Sequence, residues 1–246
     1  MSAELRSLSG PPDEALVAEL VARGPGVADA LLEMVRARDA GEWPLLGAVR
    51  VLGRLREARA AGPLVDLLAT CAVPFEDALG EEVLAALEQI GPPALGPLLD
   101  LARRPGSGEH GELALDLAVK VAAWAEEAPE RADLGQLLRQ RFRTAAYPGE
   151  RSLYAGYLGD LADAESLGLL LEALDNPELT LPEYQALQEA IEKLDAECPE
   201  FYFDEQGRPY RLDEDGHPLC ATCRQPMAID PESGELLHPD GTPAGH

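Results

Sequence analysis

The sequence predicts an all-α solenoid of about five stacked helical pairs plus a terminal helix, followed by a small C-terminal β-meander that caps it. Three observations support this: a repeated motif, helical spacing of apolar residues, and a change of composition after residue 196. Hydrophobic residues make up 46% of the 246-residue chain and aromatic residues only 5%. A core built mainly of Leu, Ala and Val suits thin helical layers better than a sandwich or a barrel.

A short motif, a small residue followed by paired apolar residues, recurs along the chain. Its copies begin at residues 29, 62, 96, 135 and 168, so successive copies are 33, 34, 39 and 33 residues apart. A second motif runs in step with the first and is found at residues 51–55, 86–90, 157–161 and 190–194. Two motifs in register indicate a repeated structural unit with a period near 34 residues.

Each repeat is predicted to be a pair of helices. Leu45, Ala48, Val49 and Leu52 have the i, i+3, i+4, i+7 spacing of a buried helical face. Gly-Pro, Pro-Pro or Asp-Ala then marks a break before the second helix. The predicted helices are 12–23, 26–38, 42–56, 58–71, 75–90, 92–104, 109–127, 130–143, 148–162, 164–175 and 181–196. One pair cannot bury its apolar face alone, so neighbouring pairs must stack, as a first domain spanning 1–196.

The pattern LGxLxxxxAxxPLLxLL, found at residues 51–68 and again at 87–101, resembles HEAT repeats of the short, bilin-lyase-like subclass. The resemblance covers roughly residues 12–196 and implies stacked helical pairs. For function it implies a scaffold or adaptor, with an enzyme or lyase-like chaperone subunit as the alternative. Because one repeat fold serves many roles, the resemblance alone does not choose between them.

The sequence lacks the residues of the enzymes known in this fold class. The di-iron hydroxylases of this fold use His-Glu pairs on several helices, whereas His110 is the one histidine within 1–196. The DNA glycosylases use a basic groove, which the charge of this chain does not favour. We interpret Trp43 and Trp124 as core or inter-layer packing residues. No catalytic residue is predicted, and the enzyme alternative stays open.

Charge limits the partners. The net charge is −25, from 45 acidic and 20 basic residues. Such an excess repels nucleic acids and anionic membranes, so a charged partner should be a basic protein or peptide. The alternative is that the negative charge has no role in binding and only maintains solubility. Residues 1–10 do not resemble a signal peptide, which predicts a cytoplasmic protein. The oligomeric state is not predictable.

The second helices carry an acidic residue at equivalent positions. These positions hold Glu33, Asp66, Asp100 and Glu172, with Arg139 at the fifth. In HEAT repeats the second helices line the concave side, so the resemblance places these four carboxylates in a groove that binds the partner. We call them the acidic ridge. Alternatively, they are ordinary solvated side chains.

The C-terminal segment, residues 197–246, changes in character. Asp and Gly between apolar runs predict hairpins over 201–210 and 212–219, with a third turn near Ser233-Gly234. We predict a β-meander that docks on the last helix. Four aromatic residues form the expected docking patch: Phe201, Tyr202, Phe203 and Tyr210.

Cys220 and Cys223 form a C-x-x-C pair that resembles one knuckle of a zinc ribbon. A closed zinc site needs four ligands. We rank His238 first as a further ligand, because it returns after a turn-length excursion, then His217 and then Cys198. A metal-free knuckle and a redox dithiol are the alternatives. A redox pair normally opens a helix in a thioredoxin-like unit, a context that this segment lacks.

Overall fold

The computed structural model describes residues 5, 8–71, 78–176, 178–205, 207–221, 223–230, 233, 235–238 and 240–242. The described chain is mostly helical and ends in short antiparallel strands. Its α-helices are α1 Glu14–Ala22, α2 Ala28–Ala37, α3 Glu42–Arg54, α4 Ala61–Leu68, α5 Ala78–Ile90, α6 Leu95–Arg103, α7 Gly108–Trp124, α8 Glu130–Thr144, α9 Pro148–Asp160, α10 Leu167–Ala173 and α11 Leu181–Glu192. The strands are β1 Tyr202–Phe203, β2 Pro209–Leu212, β3 Pro218–Cys220, β4 Ala228–Ile229 and β5 Leu236–Leu237.

Each predicted helical span overlaps one α-helix, which confirms the helical prediction, and between residues 12 and 196 the described residues form no strand. Four of the described second helices begin later than predicted. Each is preceded by a 3₁₀ helix, at Gly24–Val27, Ala58–Ala60, Pro92–Ala94 and Ala164–Ser166. Tight 3₁₀ turns are common at helix ends, and the apolar pattern alone does not separate them from an α-helical first turn.

A positive φ recurs in the backbone where the predicted first helices end. Residues with positive φ follow α3, α5, α9 and α11: Arg56, Gly91, Ala162 and Asp195, with φ values of 49°, 76°, 50° and 55°. The N–H of Arg56 donates to the carbonyl of Gly53 at 2.8 Å, and the N–H of Ala162 donates to that of Gly159 at 2.9 Å. The chain therefore leaves these two first helices through the same hydrogen-bonded turn.

The chain divides into two compact units, residues 1–134 and 135–246. In the first unit, α3 contacts α1 and α5, and α5 contacts α7. The second helices of the pairs also contact one another in order, α2 with α4 and α4 with α6. Leu64 and Leu98 are fully inaccessible. The predicted domain boundary at 196/197 stays a prediction.

Small residues bring the first helices close together. A Cβ on Gly53 of α3 would lie 2.7 Å from the Cα of Ala86 on α5. In the second unit, a Cβ on Gly159 of α9 would lie 2.8 Å from the Cα of Ala190 on α11. Both distances are shorter than real contacts allow, so these two pairs of helices can only pack this closely with glycine.

Glycine begins the motif copies at residues 62, 96, 135 and 168, and three of these four glycines occupy equivalent places. Gly62, Gly96 and Gly168 are each the second residue of their helix. Gly135 differs because α8 begins at Glu130, so that this glycine lies several residues inside the helix. The copy with the irregular spacing in the sequence is therefore also irregular in structure.

In the second unit, the C-terminal strands form a three-stranded antiparallel sheet in the order β1-β2-β3 and a separate ribbon, β4-β5. The segment docks on α11, as predicted. The Tyr184 ring of α11 lies 5.5 Å from that of Phe201 and 5.8 Å from that of Phe203, centroid to centroid. Tyr202 instead pairs with Tyr210 across the sheet, with centroids 5.6 Å apart.

Candidate metal centre and acidic surface

The chain reverses direction tightly at the end of β3. The N–H of Cys220 donates to the carbonyl of Gln225 at 2.9 Å, and the N–H of Arg224 donates to the carbonyl of Cys220 at 3.0 Å. Arg224 adopts φ 58°, which closes the turn. This local geometry returns the chain so that Cys223 lies beside Cys220.

The turn also directs a backbone donor at one of the thiols. The N–H of Cys223 lies 3.5 Å from the Sγ of Cys220. Cys220 is buried and Cys223 is exposed, so the site lies at the edge of the segment's core.

His238 reaches the two cysteines from the second ribbon. It follows β5, which pairs with β4 in the register Ala228 opposite Leu237. A turn after β5 fixes its backbone, since the N–H of His238 donates to the carbonyl of Thr242 at 2.8 Å. Its Nδ1 lies 4.0 Å from the Sγ of Cys223.

Together, Cys220, Cys223 and His238 can hold a metal ion. Their donor atoms all lie within 4.8 Å of one another. Around a tetrahedral zinc ion, two sulfurs lie about 3.8 Å apart, and a sulfur and a nitrogen about 3.6 Å apart. Small side-chain rotations would therefore bring these three donors to ligand distances.

The structure does not bring His217 or Cys198 into this group. His217 is exposed, and its Nδ1 lies 3.4 Å from an oxygen of Asp213 in the turn before β3. The Asp213 side chain also accepts the backbone N–H of His217 at 2.8 Å. Cys198 is half-buried near the start of the segment, and burial raises the pKa of its thiol above the usual value.

The apolar core around the candidate metal centre is small. Its buried residues are Cys220, Met227 and Leu236, with Tyr210 packed against them. One of the possible metal ligands is thus also a core residue. A cluster of this size offers little hydrophobic stabilisation, so a bound metal would contribute a large share of the segment's stability.

The acidic ridge residues are all exposed. In the first unit, Glu33 lies on α2, Asp66 on α4 and Asp100 on α6, three helices that contact one another in order. Glu33 has a partner, Arg36, whose Nη1 lies 3.6 Å from its Oε1.

Glu172 lies in the second unit, on α10. It borders a shallow depression that is also lined by Arg143 and Arg151. At the fifth position, Arg139 forms ion pairs with Asp163 and Glu165. The surface around these two positions therefore carries both signs of charge.

Sequence reasoning left one residue open between two roles and missed another. Trp124 is not a core residue, because 57% of its surface is exposed, and its ring packs against Gly91 after α5, in agreement with the alternative of packing between layers. Its position at the end of a helix, shortly before two glutamates, was an available signal for its exposure. Glu183 is fully buried beside Arg151, with 3.0 Å between Nη1 and Oε1, and desolvation raises the pKa of its carboxyl. The Thr180-x-x-Glu183 spacing at the start of α11 was its signal.

Among the described residues, no helix is both long and apolar enough to cross a membrane. Comparisons of the chain with protein-family models, with curated proteins and with solved structures gave no match.

Proposed function

We propose that this chain is a cytoplasmic HEAT-like repeat scaffold that binds a basic protein or peptide along its acidic ridge. The repeat part of the proposal is supported by the contacts in the first unit, where first helices contact first helices and second helices contact second helices. The recurring residue with positive φ and the 3₁₀ turn after α3, α5 and α9 support it too. The four free cysteines fit a reducing compartment.

The observation that carries the binding proposal is the placement of Glu33, Asp66 and Asp100. All three are exposed, they occupy equivalent positions in the repeat, and their helices contact one another in succession. Repetition along a row of helices gives a row of like charges at regular intervals. Such a row attracts an extended basic segment more strongly than scattered charges do, and the attraction weakens with salt.

The test compares two doubly substituted proteins of equal net charge. One carries Asp66→Asn and Asp100→Asn, and the control carries Glu81→Gln and Glu88→Gln on α5, a first helix. Binding of a synthetic lysine-rich peptide is measured by calorimetry at several salt concentrations. We expect the ridge variant to bind more weakly and with a smaller salt dependence than the control. Equal affinities would show that only net charge matters and would contradict the ridge.

We further propose that zinc binds Cys220, Cys223 and His238 and holds the C-terminal segment as a cap on the last helix. Two thiolates and one imidazole suit zinc better than calcium or magnesium, which prefer oxygen ligands. Cobalt is a convenient substitute, because thiolate ligands give it characteristic absorption bands. Cys223→Ser and His238→Ala should change these bands, whereas His217→Ala and Cys198→Ser should not. Altered bands in either control would move the ligand assignment to that residue.

A further inference from the structure

A second acidic feature of the first unit is built around Trp124. The residue ends α7, because the next residue, Ala125, leaves the helical conformation at φ −105° and ψ 60°. Its exposed ring lines an open depression of about 510 Å³. The lining residues are Pro92, Trp124, Ala125, Glu126, Glu127 and Ala128. We call this depression the tryptophan shelf.

The ring is seated on the backbone of another repeat. Gly91 follows α5 with φ 76° and ψ −135°, a conformation that only glycine adopts readily. The ring lies directly over this glycine, since a Cβ at this position would overlap the Cη2 of Trp124. The exposed ring therefore rests against the protein on one side, which limits its motion, as a binding platform requires.

The charges around the tryptophan shelf are mainly negative and therefore favour a cationic ligand. Glu126 and Glu127 are both exposed and directly follow the ring, and within the described chain neither forms an ion pair. The carbonyl end of α7 adds partial negative charge. Arg131 donates to the carbonyl oxygen of Ala122 and so offsets part of that charge. An anion would be repelled here, and a purely apolar side chain would leave the carboxylates without a partner.

We propose that the tryptophan shelf binds an arginine side chain of a partner protein. A guanidinium stacks on an indole face through cation–π attraction, and its fork of N–H donors matches a carboxylate. Lysine offers a more compact and more strongly hydrated charge, and it does not stack in this way. The site stands on residues outside the acidic ridge, so it goes beyond the binding proposed above and holds whether or not the ridge binds.

The test uses the intrinsic fluorescence of Trp124. Trp43→Phe leaves Trp124 as the only tryptophan, and the fold of this variant is checked by circular dichroism. The probes are three synthetic peptides that differ at one position, which is arginine, its neutral isostere citrulline, or lysine. We expect saturable quenching by the arginine peptide, with about tenfold weaker binding of citrulline and an intermediate affinity for lysine. Equal binding of the arginine and citrulline peptides would overturn the proposal.

Substitutions in the otherwise unchanged chain test which residues form the binding site. Calorimetry measures the binding of the arginine peptide to each variant. Trp124→Leu should abolish binding of the arginine peptide, and since the ring is exposed the fold should survive. Glu126→Gln with Glu127→Gln should weaken binding several-fold and reduce its salt dependence. Asp66→Asn with Asp100→Asn should leave it unchanged, which separates the shelf from the ridge. If Trp124→Leu binds as tightly as the wild type, the shelf is not the site.

Discussion

The helical region and the C-terminal segment reach a folded state by different means. In the helical region, hydrogen bonds are made within each helix, and rows of Leu, Val and Ala are buried between helices. Among the described residues of the C-terminal segment, the strands are two to four residues long, and the buried cluster around Cys220 has three members. Strands this short need support from outside the sheet.

The difference shows where each part of the chain obtains its stability. A stack of helices gains from every neighbour, so its stability is spread over many contacts. The C-terminal segment depends on a few: the aromatic contacts with Tyr184 and, in our account, one metal ion held by Cys220, Cys223 and His238. A single change should therefore have a large effect in the segment and a graded effect in the helices.

The largest expected effect is that of metal removal on the C-terminal segment. Zinc contributes roughly 10–16 kcal/mol of apparent folding free energy in small zinc-binding domains. We expect a chelator to raise amide hydrogen exchange sharply in β2 and β3 and to leave α5 unchanged. Mass spectrometry of peptic fragments measures both in one experiment. Unchanged exchange in the strands would mean that aromatic contacts alone hold the segment.

The next effect concerns a buried leucine of the helical region. Leu98 on α6 is fully buried, so Leu98→Ala should lower the free energy of unfolding by about 2–5 kcal/mol. Leu153→Ala on α9 is the control, because that side chain is 46% exposed. Urea denaturation followed by helical circular dichroism measures both. Similar losses in the two variants would show that burial is misassigned.

Substitution by alanine should lower the free energy of unfolding at one glycine of the helical region and raise it at another. A Cβ on Gly53 would lie 2.8 Å from that of Ala86, so Gly53→Ala should destabilise by about 1–3 kcal/mol. Gly62, inside α4, has no atom within 4 Å of such a Cβ, so Gly62→Ala should stabilise by up to about 1 kcal/mol. Thermal denaturation measures both changes, as a lower melting temperature for Gly53→Ala and a higher one for Gly62→Ala. Stabilisation by Gly53→Ala would rule out close packing of α3 on α5.

The smallest effect concerns thiol reactivity within the C-terminal segment. Burial raises the pKa of the Cys198 thiol, so less of it is the reactive thiolate at pH 8. In metal-free protein, exposed Cys223 should react with iodoacetamide faster than Cys198 does. Zinc should slow the reaction of Cys223 with iodoacetamide and leave that of Cys198 unchanged, and peptide mass spectrometry measures both rates. Protection of Cys198 by zinc would indicate that it is a ligand.

Much of the helical region was predictable because its signals are local. Apolar spacing and Gly or Pro breaks depend on neighbours within a few residues, and they placed each described helix. The 3₁₀ turn at Ala58–Ala60 was not predicted, because the same residues fit either kind of helical turn. The place of Gly135 was also missed, since the start of α8 is set by a turn that the motif does not encode.

The residues of the candidate sites were predictable only where short sequence spacing or a turn fixes the distance between their side chains. The spacing of Cys220 and Cys223 and the return of the chain to His238 were sufficient to predict their proximity, whereas the nearness of His217 in sequence was misleading. Asp213 holds His217 within its own turn. For Trp124, the core alternative was wrong, because 57% of its surface is exposed, whereas its contact with Gly91 after α5 agrees with the alternative of packing between helical layers. No local pattern distinguishes the two.

Our central claim is that a metal ion stabilises the C-terminal segment, whereas apolar packing stabilises the helical region. The most direct test of this claim is the zinc content of the chain. Protein purified without chelator is analysed for elements, together with Cys220→Ser, Cys198→Ser and His217→Ala. We predict about one zinc per chain for the wild type and for the latter two variants, and loss of zinc from Cys220→Ser. Zinc-free wild-type protein, or full zinc content in Cys220→Ser, would contradict the account.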